Sequence, residues 1–246
     1  MRDYAYNTGN ILIFQCVAAI KELCFDSKKY SLAEILNAIR NNWDGFEDMR
    51  IEATKCHGWG DGSDESCSLA NRFMKALVEW NNTDNYLGKK WLFGNLVGYN
   101  EHHKFFGDLT KAPPDRRFDG DMLTFGIGQG GGKDREGLSA LLNSVAKCDP
   151  YIILTGPSVT NIMLDEQLVK KDENFEKLVY MFETYFKMGG THFQLTYVSK
   201  EDLIEAQKEP EKYKNLRVRV SGFSDYFVFL NKGLQDDILL RTEKRS

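Results

Sequence analysis

Three glycines near the middle of the chain have the spacing of a nucleotide-binding loop. Gly126, Gly128 and Gly131 follow the apolar stretch MLTF and precede GLSALLNSVAK, so this G-x-G-x-x-G motif would join a strand to a helix. The amino terminus of such a helix can hold a pyrophosphate. A dinucleotide site also needs an acidic residue at the end of the next strand, but YIILTG ends in Thr155 and Gly156. A structural glycine turn is therefore the favoured interpretation.

A second group of residues could suggest a metal site. The stretch CHGWGDGSDES (56–66) is rich in Gly, Asp and Ser. It begins with Cys56 and His57, and Cys67 follows it. A structural zinc site needs four ligands, and no second pair of Cys or His residues is nearby. We therefore expect an ordinary loop, with no bound metal and no bound organic cofactor.

The five cysteines do not form a recognisable reactive or disulfide pattern. Their number is odd and none is in a C-x-x-C pair, so reduced thiols are expected. Cys16 and Cys24 lie two turns apart in an apolar helical stretch and are interpreted as small buried hydrophobic residues. Cys148 precedes Asp149 and Pro150, and no nearby histidine would activate it. No cysteine of this chain is predicted to be a nucleophile.

His192 and Gln194 share one face of a predicted strand, THFQLTYV, whose other face is apolar. The side chains of His192 and Gln194 are thus predicted to point into the core of the protein or into a functional site. A core histidine with satisfied hydrogen bonds and a functional histidine are both open interpretations.

Gly222 lies at the tip of a predicted hairpin, residues 217–230, whose flanks are unusually apolar. Val218 and Val220 alternate with arginines, and YFVFL (226–230) is apolar on both faces, as in a strand covered on both sides. The turn between these flanks should therefore be enclosed. Glycine is used where φ is unusual or where a backbone or ligand approaches closely. From geometry alone, a tight-turn role for Gly222 is favoured over a functional one.

The elements that would position these residues are mostly helices. Apolar periodicity predicts helices at residues 9–25, 31–39, 69–80, 137–147, 172–188 and 199–209. Ser31 and Glu34 have capping-box spacing, Gly189 and Gly190 can end the fifth helix, and Ser199 can cap the sixth. MLTF, the helix after it and YIILTG form a predicted strand-helix-strand unit. Residues 81–120 have no sustained period and are predicted to be long irregular connections.

Composition narrows the classes of function. The chain has 246 residues, of which 42% are hydrophobic and 28% charged, as expected for one or two globular units. A net charge of −4, with basic residues scattered among acids, argues against a nucleic-acid partner. No apolar run reaches the roughly 20 residues of a membrane helix, and the start lacks a signal pattern, so a cytoplasmic protein is expected.

The C-terminal region closely resembles glycyl radical enzymes, the family of pyruvate formate-lyase and the related diol dehydratases, amine lyases and arylacetate decarboxylases. The resemblance rests on Arg219-Val220-Ser221-Gly222-Phe223, followed by YFVFL, Asn231 and LQDDILLRT. GGTHFQ (189–194), EAQKEPEKYKNLRVRVSGF (205–223), GLSALLNSVAKCD and the helical stretch at 17–39 also occur in the family's order. The likeness thus covers nearly the whole chain.

The resemblance implies an α/β fold, the C-terminal half of a ten-stranded α/β barrel with surrounding helices and a C-terminal glycine radical loop. Residues 1–120 would form a mainly helical part of the barrel surround and residues 121–198 a barrel half, with His192 and Gln194 facing its interior. Residues 199–246 would be the glycine radical domain.

The resemblance also implies that Gly222 stores a glycyl radical, with Arg219, Val220, Ser221 and Phe223 as its environment. A radical-SAM activating enzyme with an iron–sulfur cluster would remove a hydrogen atom from its α-carbon under anaerobic conditions. The radical would then pass to a cysteine that attacks a small-molecule substrate. Glycine suits this role because it has no side chain to twist the backbone, so the electron can delocalise over two planar peptide units.

Two features depart from the family pattern. The upstream half, with the thiyl cysteine and most of the substrate pocket, is not in this sequence, and the usual Pro-Asp-Gly-Arg turn reads Pro114-Asp115-Arg116-Arg117. The cysteine would then come from an N-terminal partner subunit, which would also cover an apolar face and an unpaired sheet edge. We therefore predict the radical-bearing subunit of a split lyase or dehydratase. A spare part that repairs an oxygen-damaged enzyme and an inert binding module are the alternatives.

Overall fold

The computed structural model describes residues 4–7, 10–83, 85–86, 89–90, 92–95, 101–123, 126–128, 135–147, 160–164, 172–220 and 223–242. Its helices are α1 (Asn10–Ile20), α2 (Leu32–Arg40), α3 (Glu47–Lys55), α4 (Asp64–Thr83), α5 (Glu101–Leu109), α6 (Leu138–Lys147), α7 (Asp172–Lys187), α8 (Lys200–Lys208) and α9 (Lys232–Thr242). Its strands are β1 (Tyr4–Asn7), β2 (Asn85–Tyr86), β3 (Lys89–Lys90), β4 (Leu92–Asn95), β5 (Asn161–Leu164), β6 (Gln194–Tyr197), β7 (Arg217–Arg219) and β8 (Ser224–Tyr226).

The predicted helix boundaries rest on local capping. Before α2, the Glu34 amide donates to Ser31 Oγ at 3.2 Å while Glu34 Oε2 accepts from the Ser31 amide at 2.8 Å. A cap of this kind is worth about 1 kcal/mol. At the end of α7, Gly189 has φ +107° and the Gly190 amide donates to Tyr185 O at 2.9 Å. The sequence predictions for both helix ends are confirmed.

Three apolar clusters hold the described elements together. The first joins α1, α4, α6, α7 and β5 through residues such as Phe14, Leu141 and Ile162. The second packs the π-helical turn Lys21–Asp26 after α1 against α2 and α3. The third, which contains the fully buried Leu203 and Ile238, packs α8 and α9 against the β7–β8 hairpin. Among the described helices, none combines the length and the apolar character that a membrane span requires.

The strands pair in four short ladders. β1 is parallel to β4, β2 antiparallel to β3, β5 parallel to β6 and β7 antiparallel to β8. Because β5 and β6 are parallel and α7 lies between them in the chain, they form a βαβ unit. The predicted strand YIILTG lies outside the described residues.

Two predictions about the strands are wrong. Residues 81–120 are not irregular throughout, since they contain the end of α4, β2, β3, β4 and α5. YFVFL is not a continuous strand either, because β8 ends at Tyr226 and Phe227–Phe229 forms a 3-10 helix. Gln235 Nε2 donates to the carbonyls of Phe227 and Leu230 at 3.0 and 3.1 Å. The Gln235 side chain of α9 thus holds the 3-10 turn at Phe227–Phe229. The apolar sequence YFVFL could not predict this turn, because its partner lies outside the stretch.

Candidate functional site

The β7–β8 hairpin brings the two flanks of Gly222 together. Arg219 pairs with Ser224 in the ladder, and the Val220 amide donates to Phe223 O at 3.0 Å. Ser221 and Gly222, which lie between Val220 and Phe223 in sequence, are outside the described residues. The described flanks therefore lie side by side up to Val220 and Phe223.

One face of the hairpin is packed inside the protein. Val218 and Val220 have exposed fractions of 1% and 0% and belong to the third apolar cluster, with Leu203, Phe227 and Ile238. The alternation predicted for β7 is confirmed, with the exposed Arg217 and the half-buried Arg219 on the other face. The chain entering the tip is thus anchored by apolar burial.

Arg219 fastens the hairpin to the neighbouring strand. Its Nε donates to Gln194 Oε1 on β6 at 2.8 Å, and its Nη1 donates to Ser224 Oγ on β8 at 3.3 Å. Hydrogen bonds from a charged donor are stronger than neutral ones. The fold thus brings together Arg219 and Gln194, which are 25 positions apart in sequence.

His192 precedes β6 instead of lying in it, because the strand is shorter than predicted. Its carbonyl accepts a hydrogen bond from Tyr185 Oη at 2.9 Å, while its Nδ1 is buried without a partner among the described residues. Asn161, which pairs with Gln194 in the ladder, also has a buried Oδ1 without a partner in the described part of the chain. Unpaired buried polar atoms require an explanation. Sequence reasoning missed Asn161, although a polar residue at the start of the apolar run NIML was a usable signal.

The outer side of the hairpin is apolar and open. Phe223 is 50% exposed and Phe229 71% exposed, and Tyr226 packs edge-on against Phe229. On β6, the apolar residues Leu195 and Tyr197 are exposed as well. An open groove of ≈ 550 Å³ runs between β6 and the hairpin.

Burial raises the pKa of every cysteine thiol that the structure describes. The pKa is raised to about 12 for Cys16 and Cys56, and it is also raised for Cys24 and Cys67. Neutral thiols are weak nucleophiles, which agrees with packed side chains. The described residues contain no group of three or more metal-binding side chains. Cys148 lies outside them.

The glycine loop at residue 126 is packed by the chain itself. Gly126 has φ +52°, and a Cβ on Gly128 would lie 2.4 Å from the carbonyl oxygen of Asn161. Trp59 Nε1 donates to the carbonyl of Ile127, which is almost fully buried, at 3.0 Å. The backbone conformation at Gly126 and the close packing at Gly128 therefore explain why these two positions are glycine. Gly131 lies outside the described residues.

The altered Pro-Asp-Gly-Arg turn keeps the backbone conformation that a glycine would allow. Arg116, at the glycine position, has φ +88°, a value that L-residues rarely adopt. Arg117 Nε donates to both carboxylate oxygens of the buried Asp115, at 3.2 and 3.1 Å. Arg116 therefore places a cation at a position of the turn whose backbone conformation favours glycine.

Comparison with known proteins matches two family models and several curated relatives to this chain. Residues 3–94 match the pyruvate formate lyase-like family, and residues 124–228 match the glycine radical family. An isethionate sulfite-lyase of Desulfovibrio desulfuricans is 30% identical over 94% of this chain and 28% of its own length. A trans-4-hydroxy-L-proline dehydratase of Clostridioides difficile is 30% identical over 98% of this chain and 30% of its own length.

Solved structures give the same result. The glycerol-bound B12-independent glycerol dehydratase from Clostridium butyricum superposes with a TM-score of 0.85 and 29% identity, over 98% of this chain and 30% of that one. The chain thus spans between 28% and 30% of the length of these three relatives.

Proposed function

Because the chain belongs to the glycyl radical enzyme family, we propose that it stores a radical on Gly222 and is the radical-bearing subunit of a split lyase or dehydratase. The α/β barrel fold expected from the sequence is confirmed by its structural relatives. Proteins similar in sequence are named isethionate sulfite-lyase, trans-4-hydroxy-L-proline dehydratase and (2S)-3-sulfopropanediol dehydratase, which supports an enzyme of the lyase or dehydratase type.

The hairpin is the observation that carries this proposal. It holds Val220 and Phe223 together on either side of Gly222, packs one face of β7 fully and fastens the other face to β6 through Arg219 and Gln194. A radical centre needs a backbone held in a fixed position, since hydrogen-atom transfer depends on the distance between the two atoms involved. We therefore assign Gly222 as the radical site, with Arg219, Val220, Ser221 and Phe223 as its environment.

The proposed chemistry moves hydrogen atoms and consumes no cofactor bound to this chain. A radical-SAM activating enzyme takes one hydrogen atom from the α-carbon of Gly222 and leaves an unpaired electron there. That carbon then takes a hydrogen atom from the Sγ–H of a partner cysteine, which restores Gly222 and leaves a thiyl radical. The thiyl radical removes a hydrogen atom from the substrate carbon and starts the elimination.

The open apolar side of the hairpin supports the need for a partner subunit. Phe223 and Phe229 are at least half exposed, although an aromatic surface next to a radical must exclude water and oxygen. The relatives are more than three times as long as this chain, so the missing length can supply the covering surface and the cysteine. We propose that an N-terminal subunit of this family provides both, in the anaerobic cytoplasm.

Domain roles follow the same proposal. Residues 199–246 would act as the glycine radical domain and residues 121–198 as the barrel half against which it docks. Residues 1–120 would surround the barrel. The clamp between Arg219 and Gln194 would then join the radical domain to the barrel half.

Electron paramagnetic resonance tests the radical directly. The chain is coexpressed anaerobically with its activating enzyme and partner, and we expect a glycine-centred doublet. A silent spectrum, under conditions that activate a full-length relative, would contradict the proposal. A pull-down separates the split enzyme from a repair protein, because a repair protein would capture an enzyme that has its own radical domain.

A further inference from the structure

We propose that one face of α1 is a second docking surface for the N-terminal subunit, separate from the hairpin. Ile13, Val17 and Ile20 lie on this face, which we call the outer face of α1. α1 packs in the first and second apolar clusters, whereas the hairpin packs in the third. The inference rests on the proposed split enzyme and adds where its two subunits meet.

The outer face is turned away from the core of the chain. Ile11, Phe14 and Ala18 are buried in the first apolar cluster. With about 3.6 residues per helical turn, Ile13 and Val17 lie on the opposite side of the helix. They are 48% and 38% exposed, and among the described residues neither belongs to any of the three clusters. The core therefore leaves this side of α1 uncovered.

α1 differs from the other described helices because it has no charged residue. Its sequence is NILIFQCVAAI, whereas each of the other eight described helices has at least one charged side chain. On α7, for example, the exposed Val179 has Lys177 nearby in the same helix, and such scattered apolar residues are ordinary on protein surfaces. A helix that is apolar on most sides is normally buried within a larger protein. We therefore expect a second surface to cover the outer face of α1.

The length of the relatives indicates what covers it. The pyruvate formate lyase-like match at residues 3–94 includes α1. The glycerol dehydratase from Clostridium butyricum superposes over 98% of this chain but only 30% of its own, so α1 has an equivalent inside a much longer enzyme. Most of that enzyme lies outside the matched part and is available to cover the helix. In a split enzyme, the N-terminal subunit would supply this covering surface.

The spacing of the outer face also indicates the shape and chemistry of its partner. Ile13, Val17 and Ile20 follow one another at four and three positions, the spacing of side chains that pack against a neighbouring helix. A charge brought against these aliphatic side chains would lose its hydration without gaining a partner. The N-terminal subunit should therefore present an apolar, uncharged helix to this face.

Binding of the N-terminal subunit to the full chain tests the docking surface. The probe is a pyruvate formate lyase-like polypeptide from the same genome that lacks a glycine radical region, and isothermal titration under anaerobic conditions measures the dissociation constant. Val17→Lys should weaken binding at least about tenfold, because a buried contact is lost and an ammonium group is desolvated. Val179→Lys is the matched control, since this valine of α7 is 40% exposed, and it should bind like the parent chain.

Further variants separate this surface from the hairpin. Ile13→Ser introduces no charge and should weaken binding by a smaller factor, and circular dichroism checks that each variant keeps the parent fold. Phe229→Ser on the hairpin should weaken binding separately, and its factor should multiply with that of Val17→Lys in the double variant.

The outcomes distinguish this inference from the proposed function. Parent-like binding by Val17→Lys and Ile13→Ser would overturn the docking surface, while the radical signal would still test the role of Gly222. No binding by the parent chain would overturn the docking surface together with the split enzyme. A dimer of the chain alone that Val17→Lys abolishes, seen by sedimentation, would show that a second copy covers α1 and would overturn the choice of partner.

Discussion

The two glycine-containing loops of this chain are enclosed in different ways. The loop at Gly126 and Gly128 is covered by other parts of the same chain, since Asn161 of β5 contacts Gly128 and Trp59 donates a hydrogen bond to Ile127. The β7–β8 hairpin has one face packed in the third apolar cluster, whereas Phe223 and Phe229 on its outer side are at least half exposed. Enclosure by its own chain indicates a structural role for the first loop, whereas the exposed side of the hairpin is the surface on which we propose that the partner subunit docks.

The largest expected effect comes from changing the proposed radical site. After anaerobic activation, exposure to oxygen should cut the parent chain at residue 222 and release a small C-terminal peptide, which mass spectrometry detects. Gly222→Ala should give no radical and no cut, because a side chain hinders planarity at the α-carbon. Gly58→Ala is the matched control, since its Cβ would have no neighbour closer than 3.9 Å. Equal cutting of the parent and Gly222→Ala chains would refute the assignment.

Gly128→Ala should damage the fold instead of the chemistry. The added Cβ would lie 2.4 Å from the backbone oxygen of Asn161, which cannot move without disturbing β5. Overpacking of this kind costs about 3 kcal/mol in the free energy of unfolding. Urea titration measures it, and Gly58→Ala should cost less than about 1 kcal/mol. A Gly128→Ala chain as stable as the parent would show that the loop is not closed as described.

Gln194→Leu should loosen the hairpin without unfolding the chain. The substitution removes the acceptor of Arg219 Nε, and a hydrogen bond from a charged donor is worth about 2 kcal/mol. We expect faster amide hydrogen exchange in β7 and β8 and a shorter radical lifetime in trace oxygen. Gln194→Glu keeps an acceptor and should restore both values. If Gln194→Leu leaves exchange in the hairpin unchanged, the clamp does not hold it.

The smallest expected effect is a pH dependence at the loop that follows α3. A hydrogen bond to Asp61 raises the pKa of His57 above its usual value. The protonated pair therefore stabilises the folded state fully below the unfolded pKa of about 6.5, and this contribution is lost as pH rises through the higher folded pKa. His57 is more than half exposed, so salt should screen the effect. Thermal unfolding between pH 6 and 8 should show a shallow decline that His57→Gln abolishes.

Local interactions made much of the fold readable from the sequence. The capping box at Ser31 and Glu34, the helix end at Gly189 and the cap at Ser199 all use partners within five residues. The alternation of Val218 and Val220 likewise needs only the two-residue period of a strand. The motif around Gly222 also indicates the family from the sequence alone.

Other features depended on partners far away in the chain. β4 pairs with β1, which lies 88 positions earlier in the chain, so the formation of this four-residue strand depends on a distant partner. The 3-10 turn at Phe227–Phe229 depends on Gln235, and the exposure of Leu195 and Tyr197 depends on which neighbours cover β6. The sequence by itself determined the helices, the alternation in β7 and the family, because backbone capping and side-chain periodicity are local. Only the tertiary structure decided which face of the hairpin is closed, because burial is a property of the whole packed chain.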